Sequence, residues 1–211
     1  MAQKTSKPTN QVQQWASQFG DDYVERNDFA EWKIKYGVEG FRRMIGKLEL
    51  DSILEVGSNI GLNLIYIDAL FNGQVRLHAV EPNKKAYDRL LANKINLAQA
   101  WNCDGFNIPL PDSSVDLVFT SGVLIHVAPD DLGRITDEIV RVAKKYVLCS
   151  EYFSQDPEEK PYHSQAGLLF KRDFGSFYLD RHPTLKIVDY GFLWQRELEN
   201  FDDLTWWLFE K

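Results

Sequence analysis

Between Asp51 and Glu151 short apolar runs alternate with amphipathic stretches. SILEVG, VRLHAV, AQAWN, VDLVFT and YVLCSEY are separated by segments whose apolar residues recur at helical spacing. This alternation predicts strand–helix–strand units and a mainly parallel sheet, the α/β class. The helices are expected near Leu62–Leu70, Asn83–Asn96 and Asp130–Ala143, the last opened by Pro129 and Asp130. After residue 184 the rhythm changes. TLKIVDYGFLWQ and DLTWWLFEK are two β-rich runs joined by polar ELENFD, which predicts an antiparallel hairpin on one edge. Upstream, Trp15, Phe19 and Tyr23 fall at helical spacing, so QVQQWASQFGDDYVERN predicts a helix with an aromatic face, interrupted or bent at Gly20. A second helix is expected from Asp28 towards Gly46, and the polar first ten residues are expected to fray.

A chain of 211 residues suits one well-buried core better than two. The expected layout is a single domain: a tail over 1–10, a helical cap over 11–46, a core over 51–151, a covering segment over 152–182 and the hairpin over 184–211. With 44% hydrophobic and 26% charged residues the balance is that of a soluble globular protein. A net charge of -7 argues against nucleic acid as the main partner, because phosphate binding needs clustered lysine and arginine. No apolar run approaches a membrane span, and MAQKTSKPTN has no signal-peptide core, so the chain reads as cytoplasmic, without a membrane partner. Cys103 and Cys149 each end a strand-like run and read as reduced thiols, with neither a disulfide nor a metal site expected.

The most informative stretch is ILEVGSNIGLNLIYI, an apolar strand that enters a loop with Gly57 and Gly61 and then a helix. Glycine at such a turn lets a ligand lie against the main chain. A dinucleotide fingerprint would place its middle glycine where this loop has Ser58-Asn59. A pyrophosphate needs close backbone approach there, whereas a ligand without phosphate tolerates a side chain. Glu55 would also repel phosphate but suit an ammonium group, so the loop favours S-adenosylmethionine over NAD. HAVEPN then sets Glu81 at the tip of the next strand, where one carboxylate can accept both ribose hydroxyls, with Pro82 and Asn83 beside it. Asp104, next to Gly105, can accept the adenine amino group or simply serve the turn. Strand ends of a parallel sheet share one crevice, so Glu55, Glu81, Asp104 and His126 can meet there.

These residues in this order resemble the class I S-adenosylmethionine-dependent methyltransferases over roughly Asp51 to Glu151. FGDDYVERN, ILEVGSNIGLNL, SGVLIHVAPDDL, KRDFGSFYLD, VDYGFLWQ and DLTWWLFEK look closer to methylases associated with pseudaminic acid and related sugar biosynthesis. The resemblance implies a Rossmann-like, seven-stranded, mostly parallel sheet with helices on both faces and an antiparallel strand from the C-terminal hairpin. It implies S-adenosylmethionine as cofactor and S-adenosylhomocysteine as product. Glu55, Gly57, Ser58, Asn59, Gly61 and Asn63 would then line the methionine part, Glu81, Pro82 and Asn83 the ribose, and Asp104 and Gly105 the adenine. Ser121 and Val123 are further candidates for binding the cofactor. Tyr23 and Arg26 would cover the methionine carboxylate, or else serve packing and solvation.

Methyl transfer from a sulfonium requires an aligned nucleophile and exclusion of water. His126, after the fourth strand, is the candidate base, or else a packed histidine or cofactor contact. Tyr152 is the second candidate for the catalytic group. Glu151, Tyr162, His163, Lys171, Arg172 and Asp173 are candidates for holding a small-molecule acceptor; the rings would stack on a sugar and Lys171 and Arg172 would bind an acidic group, or else be a solvated pair. The acceptor is expected to present an oxygen or a nitrogen, as in a nucleotide-activated or acidic amino sugar. Two other readings stay open: an NAD-dependent sugar oxidoreductase on the same sheet, and a non-catalytic protein that binds S-adenosylmethionine. The oligomeric state is not legible.

Overall fold

A computed structural model describes residues 8–27, 29–162 and 165–211, with only the backbone at 165 and 166. The elements in chain order are α1 (Asn10–Trp15), α2 (Gln18–Arg26), α3 (Glu31–Ile45), β1 (Ser52–Val56), α4 (Leu62–Leu70), β2 (Arg76–Val80), α5 (Lys84–Leu91) and β3 (Leu97–Trp101). After these come β4 (Val115–Ser121), α6 (Pro129–Val142), β5 (Ala143–Glu151), β6 (Glu158–Tyr162), β7 (Gln165–Lys171), α7 (Phe174–Arg181), β8 (Lys186–Leu193) and β9 (Leu204–Glu210). A single 3-10 turn, Leu124–His126, follows β4.

Seven strands form one sheet in the order β3-β2-β1-β4-β5-β9-β8. The first five pair in parallel, while β9 lies antiparallel between β5 and the edge strand β8. The expected hairpin therefore exists and supplies both the inserted strand and one edge.

Alternation along the central strands explains the layering. On β4, Val118 joins a core with Leu54, Ile135, Ile139 and Phe174, while Leu117 and Phe119 point to the opposite core with Phe41, Ile53, Leu64 and Ile67. Each strand thus buries both faces, and helices must cover both. α6 shows how one is made to fit. Pro129 opens it, Asp130 and Asp131 favour its first turn, and Leu132, Ile135, Thr136, Ile139 and Val142 form its buried stripe.

Several expectations need correction. The N-terminal helix breaks at Ala16-Ser17, with Ser17 in extended backbone, and not at Gly20. Gly20 lies inside α2 because a Cβ there would stand 1.8 Å from the Trp15 carbonyl oxygen: the residue permits contact and does not bend the chain. Thr9 caps α1 by accepting from Val12 N, so the fraying expected over 1–10 does not extend to Thr9 and Asn10; residues 1–7 lie outside the described residues. The third helix starts at Glu31, with Asp28 outside the described residues, and α5 stops at Leu91, short of Asn96. The covering segment contains a two-stranded antiparallel ribbon, β6 with β7, for which no strand was expected. Lys160 and Phe170 belong to that ribbon, whose pairing the Pro- and Glu-rich composition concealed.

Candidate active site

One cavity of about 330 Å³ opens at the C-terminal ends of the parallel strands, roofed by α1 and α2. Its floor is the loop after β1. Gly57 N and Ser58 N donate to the Val80 carbonyl, at 2.8 and 3.1 Å, and tie that loop to the end of β2. Gly57 sits at φ +77°, where a side chain is strained, and a Cβ there would meet the Val123 side chain at 2.7 Å. Gly61 caps α4 but does not line the cavity, so its expected ligand contact becomes a backbone role.

Glu81 is buried at the tip of β2 and organises two turns at once. Its carboxylate accepts from Asn59 N at 2.6 Å and Asn83 N at 2.7 Å. Each oxygen keeps a second lone pair for a further donor. Burial pushes the carboxyl up to about 7, against the pull of the two amides. Asn83 caps α5 through Ala86 N and donates to the Trp15 carbonyl and to Asp21, which clamps the roof to the sheet.

Glu55 is the most telling group. One oxygen accepts from Asn63 Nδ2 at 2.7 Å, while the other is buried without a hydrogen-bond partner. Burial drives its carboxyl well above the ordinary range, with the Glu81 charge adding to the rise and Asn63 opposing it. A buried carboxylate oxygen that lacks a donor in a cavity wall fits an ammonium ligand. Further along, Asp104 accepts from Phe106 N at 3.0 Å, and Val56, Gly105, Phe106 and Ile135 provide an apolar slot beside it. The residues present thus suit S-adenosylmethionine: Glu55 for its ammonium, Glu81 for its ribose, and Asp104 with the apolar slot for its adenine.

At the other end stand Ser121, Val123, His126, Tyr152 and Tyr162, all lining the same cavity with Trp15 and Tyr23. His126 lies 2.5 Å from the Leu168 carbonyl through Nδ1, so that nitrogen carries the proton and Nε2 keeps its lone pair. Burial holds its pKa down, to about 4, against the Leu168 hydrogen bond, and the ring is neutral at pH 7. Trp15 and Tyr162 pack beside it, with centroids at 4.6 and 5.0 Å. The Tyr152 hydroxyl donates to Asp202 at 2.5 Å. Burial first, then this carboxylate, raise the phenol far above its ordinary value, so Tyr152 acts as a donor and not as a base.

Other expected residues are not brought to the cavity. Arg26 is exposed, its guanidinium 5.6 Å from the Tyr23 ring centre. Glu151 is fully buried behind the 3-10 turn, accepting from Val123, Leu124 and Ile125 N; it shapes the segment that carries His126 and does not face a substrate. Lys171 lies against the Tyr152 ring at 5.1 Å and Arg172 against Phe177 at 4.9 Å, both outside the cavity lining. Asp173 caps α7. His163 lies outside the described residues. Conversely, Trp15, Phe106, Asn200, Phe201 and Asp202 line the cavity without having been singled out as site residues. Trp15 carried a signal in its aromatic spacing; Asp202 carried none beyond its place between the hairpin strands. Cys103 and Cys149 are free thiols. Among the described residues, no helix is long and apolar enough to cross a membrane.

A family model described as a methyltransferase domain matches residues 54–149, the stretch that holds β1 to β5 and the cavity floor. Among solved structures, the chain is similar to 1,6-didemethyltoxoflavin-N1-methyltransferase from Burkholderia thailandensis, solved with bound 1,6-didemethyltoxoflavin and S-adenosylhomocysteine, at TM-score 0.72 and 15% identity over 100% of this chain and 93% of that one. It is also similar to an S-adenosylmethionine-dependent methyltransferase from Leishmania major, at TM-score 0.69 and 14% identity over 94% and 81% of the two chains. A third similar structure is magnesium protoporphyrin IX methyltransferase from Synechocystis with bound S-adenosylmethionine, at TM-score 0.65 and 12% identity over 98% and 100%. The chain thus matches a methyltransferase-domain model over residues 54–149 and shares the fold of S-adenosylmethionine-dependent methyltransferases, with a cavity whose residues suit that cofactor.

Proposed function

We propose that this protein transfers a methyl group from S-adenosylmethionine to an oxygen or nitrogen of a small molecule held between the 3-10 turn after β4, Tyr152 and the aromatic roof. The observation that carries this reading is the partnerless buried oxygen of Glu55 in the same cavity as Glu81: two buried carboxyl groups with free acceptor sites, suited to a cationic amino-acid end next to a hydroxyl-bearing ring. Bound there, the cofactor supplies an activated methyl on sulfur. The protein's part is to fix the direction of approach and keep water out. His126, neutral and oriented by Leu168, offers Nε2 to the acceptor. The α1–α2 roof, held by Asn83, shields the reacting end.

The resemblance to methylases of pseudaminic acid and related sugar pathways makes an amino sugar the first acceptor class to test. The acidic half of that expectation has lost its support, since Lys171 and Arg172 do not line the cavity. An NAD-type reaction is disfavoured by Glu55 and by Ser58-Asn59 in place of a middle glycine. Mass spectrometry of products formed from methyl-labelled S-adenosylmethionine with amino sugars, nucleotide-activated amino sugars and a metabolite extract tests the proposal. A labelled small-molecule product is expected. No labelled product from any mixture, with NAD reduced instead, would refute it.

A further inference from the structure

The acceptor end combines aromatic faces with one exposed carboxylate, Asp202. Its rings form one cluster: Trp15 to Tyr23 at 5.2 Å, Trp15 to His126 at 4.6 Å, and His126 to Tyr162 at 5.0 Å between centroids. Asp202 stands exposed at the mouth, joined to Tyr152. Among the described residues lining the cavity are the carboxylates Glu55, Glu81, Asp104 and Asp202, and no lysine or arginine. Arg26 lies 5.6 Å from the Tyr23 ring centre and Lys171 5.1 Å from that of Tyr152, and neither lines the cavity.

We infer that the acceptor presents an amine: it enters the aromatic end as a neutral or cationic nitrogen compound, with Asp202 as its recognition group and no phosphate or carboxylate inside the cavity. This rests on the methyltransferase reading above and narrows it. Ring faces are negative and attract ammonium-type groups, and a carboxylate at the mouth adds a charge-assisted hydrogen bond. An acidic acceptor would be desolvated beside Asp202 with no lysine or arginine in the described lining to meet it.

The reaction imposes the same preference. An acceptor that enters as an ammonium first gives a proton to water at the open mouth, and the free amine nitrogen then gives its lone pair to the methyl carbon while the carbon–sulfur bond breaks, the sulfur keeping the bonding pair as a neutral thioether. Positive charge therefore passes from sulfur to nitrogen, and Asp202 at the acceptor end favours a charge on that nitrogen. The methylated ammonium then sheds its proton to water at the open mouth beside Asp202. A hydroxyl acceptor would instead have to lose its proton as its oxygen attacks, and the negative charge that builds there is opposed by Asp202.

Three probes of one shape test the inference: benzylamine, benzyl alcohol and benzoate, titrated by ligand-observed NMR into the full chain saturated with S-adenosylhomocysteine. Binding in the order amine, alcohol, carboxylate is expected. Asp202→Asn, which still accepts from Tyr152, should cut the amine-over-alcohol preference about threefold and leave affinity for S-adenosylhomocysteine unchanged. Any other order, no binding of the amine, or an unaltered preference in Asp202→Asn would overturn it. Failure to bind S-adenosylhomocysteine at all would defeat the methyltransferase reading, and this inference with it.

Discussion

The two ends of the cavity are built by different means. At the β1–β2 end, function and folding share the same atoms: Glu81 holds the amides of Asn59 and Asn83, and Glu55 is fixed by Asn63. At the β4–β5 end the working surface is a lining of rings around His126, with Asp202 exposed on the loop before β9. The first arrangement fixes one ligand rigidly. The second leaves room for variation, because an aromatic wall and a carboxylate at the mouth can be changed without unpicking the sheet.

That contrast is sharpest at Gly57. An alanine there combines left-handed backbone strain with a Cβ 2.7 Å from Val123. Gly57→Ala should weaken S-adenosylhomocysteine binding by roughly 3 kcal/mol, on the order of a hundredfold. Calorimetry on the folded variant checks this, and near-normal affinity would separate the loop from the cofactor.

Glu81→Ala removes the remaining acceptor sites and frees two loop amides. A loss of about 1.5–3 kcal/mol in cofactor affinity is expected in the same titration. His126→Ala should behave oppositely, as befits the other end: turnover falls about tenfold through lost alignment while cofactor affinity stays intact. An unaltered rate would remove the histidine from the reacting end.

A smaller effect distinguishes the buried groups by pH. Glu151, fully enclosed, is held up to about 7 by burial against an ordinary value of 4.5. Its proton is bound more tightly in the folded chain, so its stabilising contribution is complete below 4.5 and disappears as pH climbs through 7. His126 is held down, to about 4 from 6.5, so its contribution is present above 6.5 and disappears as pH falls through 4. The melting temperature of wild type relative to Glu151→Gln should therefore decline between these two glutamate values. Relative to His126→Phe it should decline on acidification, each effect on the order of 1 kcal/mol. Parallel curves would show that neither group titrates as its burial dictates.

The same contrast governs what the sequence revealed. Glu55, Gly57, Glu81 and Asn83 were legible because each acts through neighbours fixed by a strand-to-helix turn, where residue type and local geometry are tied together. The five parallel strands and the edge hairpin followed from the alternation, whereas the seven-stranded sheet with its inserted antiparallel strand was what the methyltransferase resemblance implied. Asp202 and Trp15 were not legible as partners of Tyr152 and His126, since separate chain segments meet there only after the hairpin and the roof have packed. Glu151 was misjudged for a related reason: a carboxylate at the end of β5 resembles a site residue until its three backbone donors are seen. Gly20 looked like a bend because sequence shows a missing side chain but not the Trp15 carbonyl that excludes one.

A crystal structure with S-adenosylhomocysteine tests the central claim most directly. The amino group of the ligand should lie within hydrogen-bond distance of the unpartnered Glu55 oxygen, with both ribose hydroxyls on Glu81 and the adenine between Phe106 and Ile135. Density for the ligand outside this cavity, or within it with its amino group away from Glu55 and its ribose away from Glu81, would contradict the account.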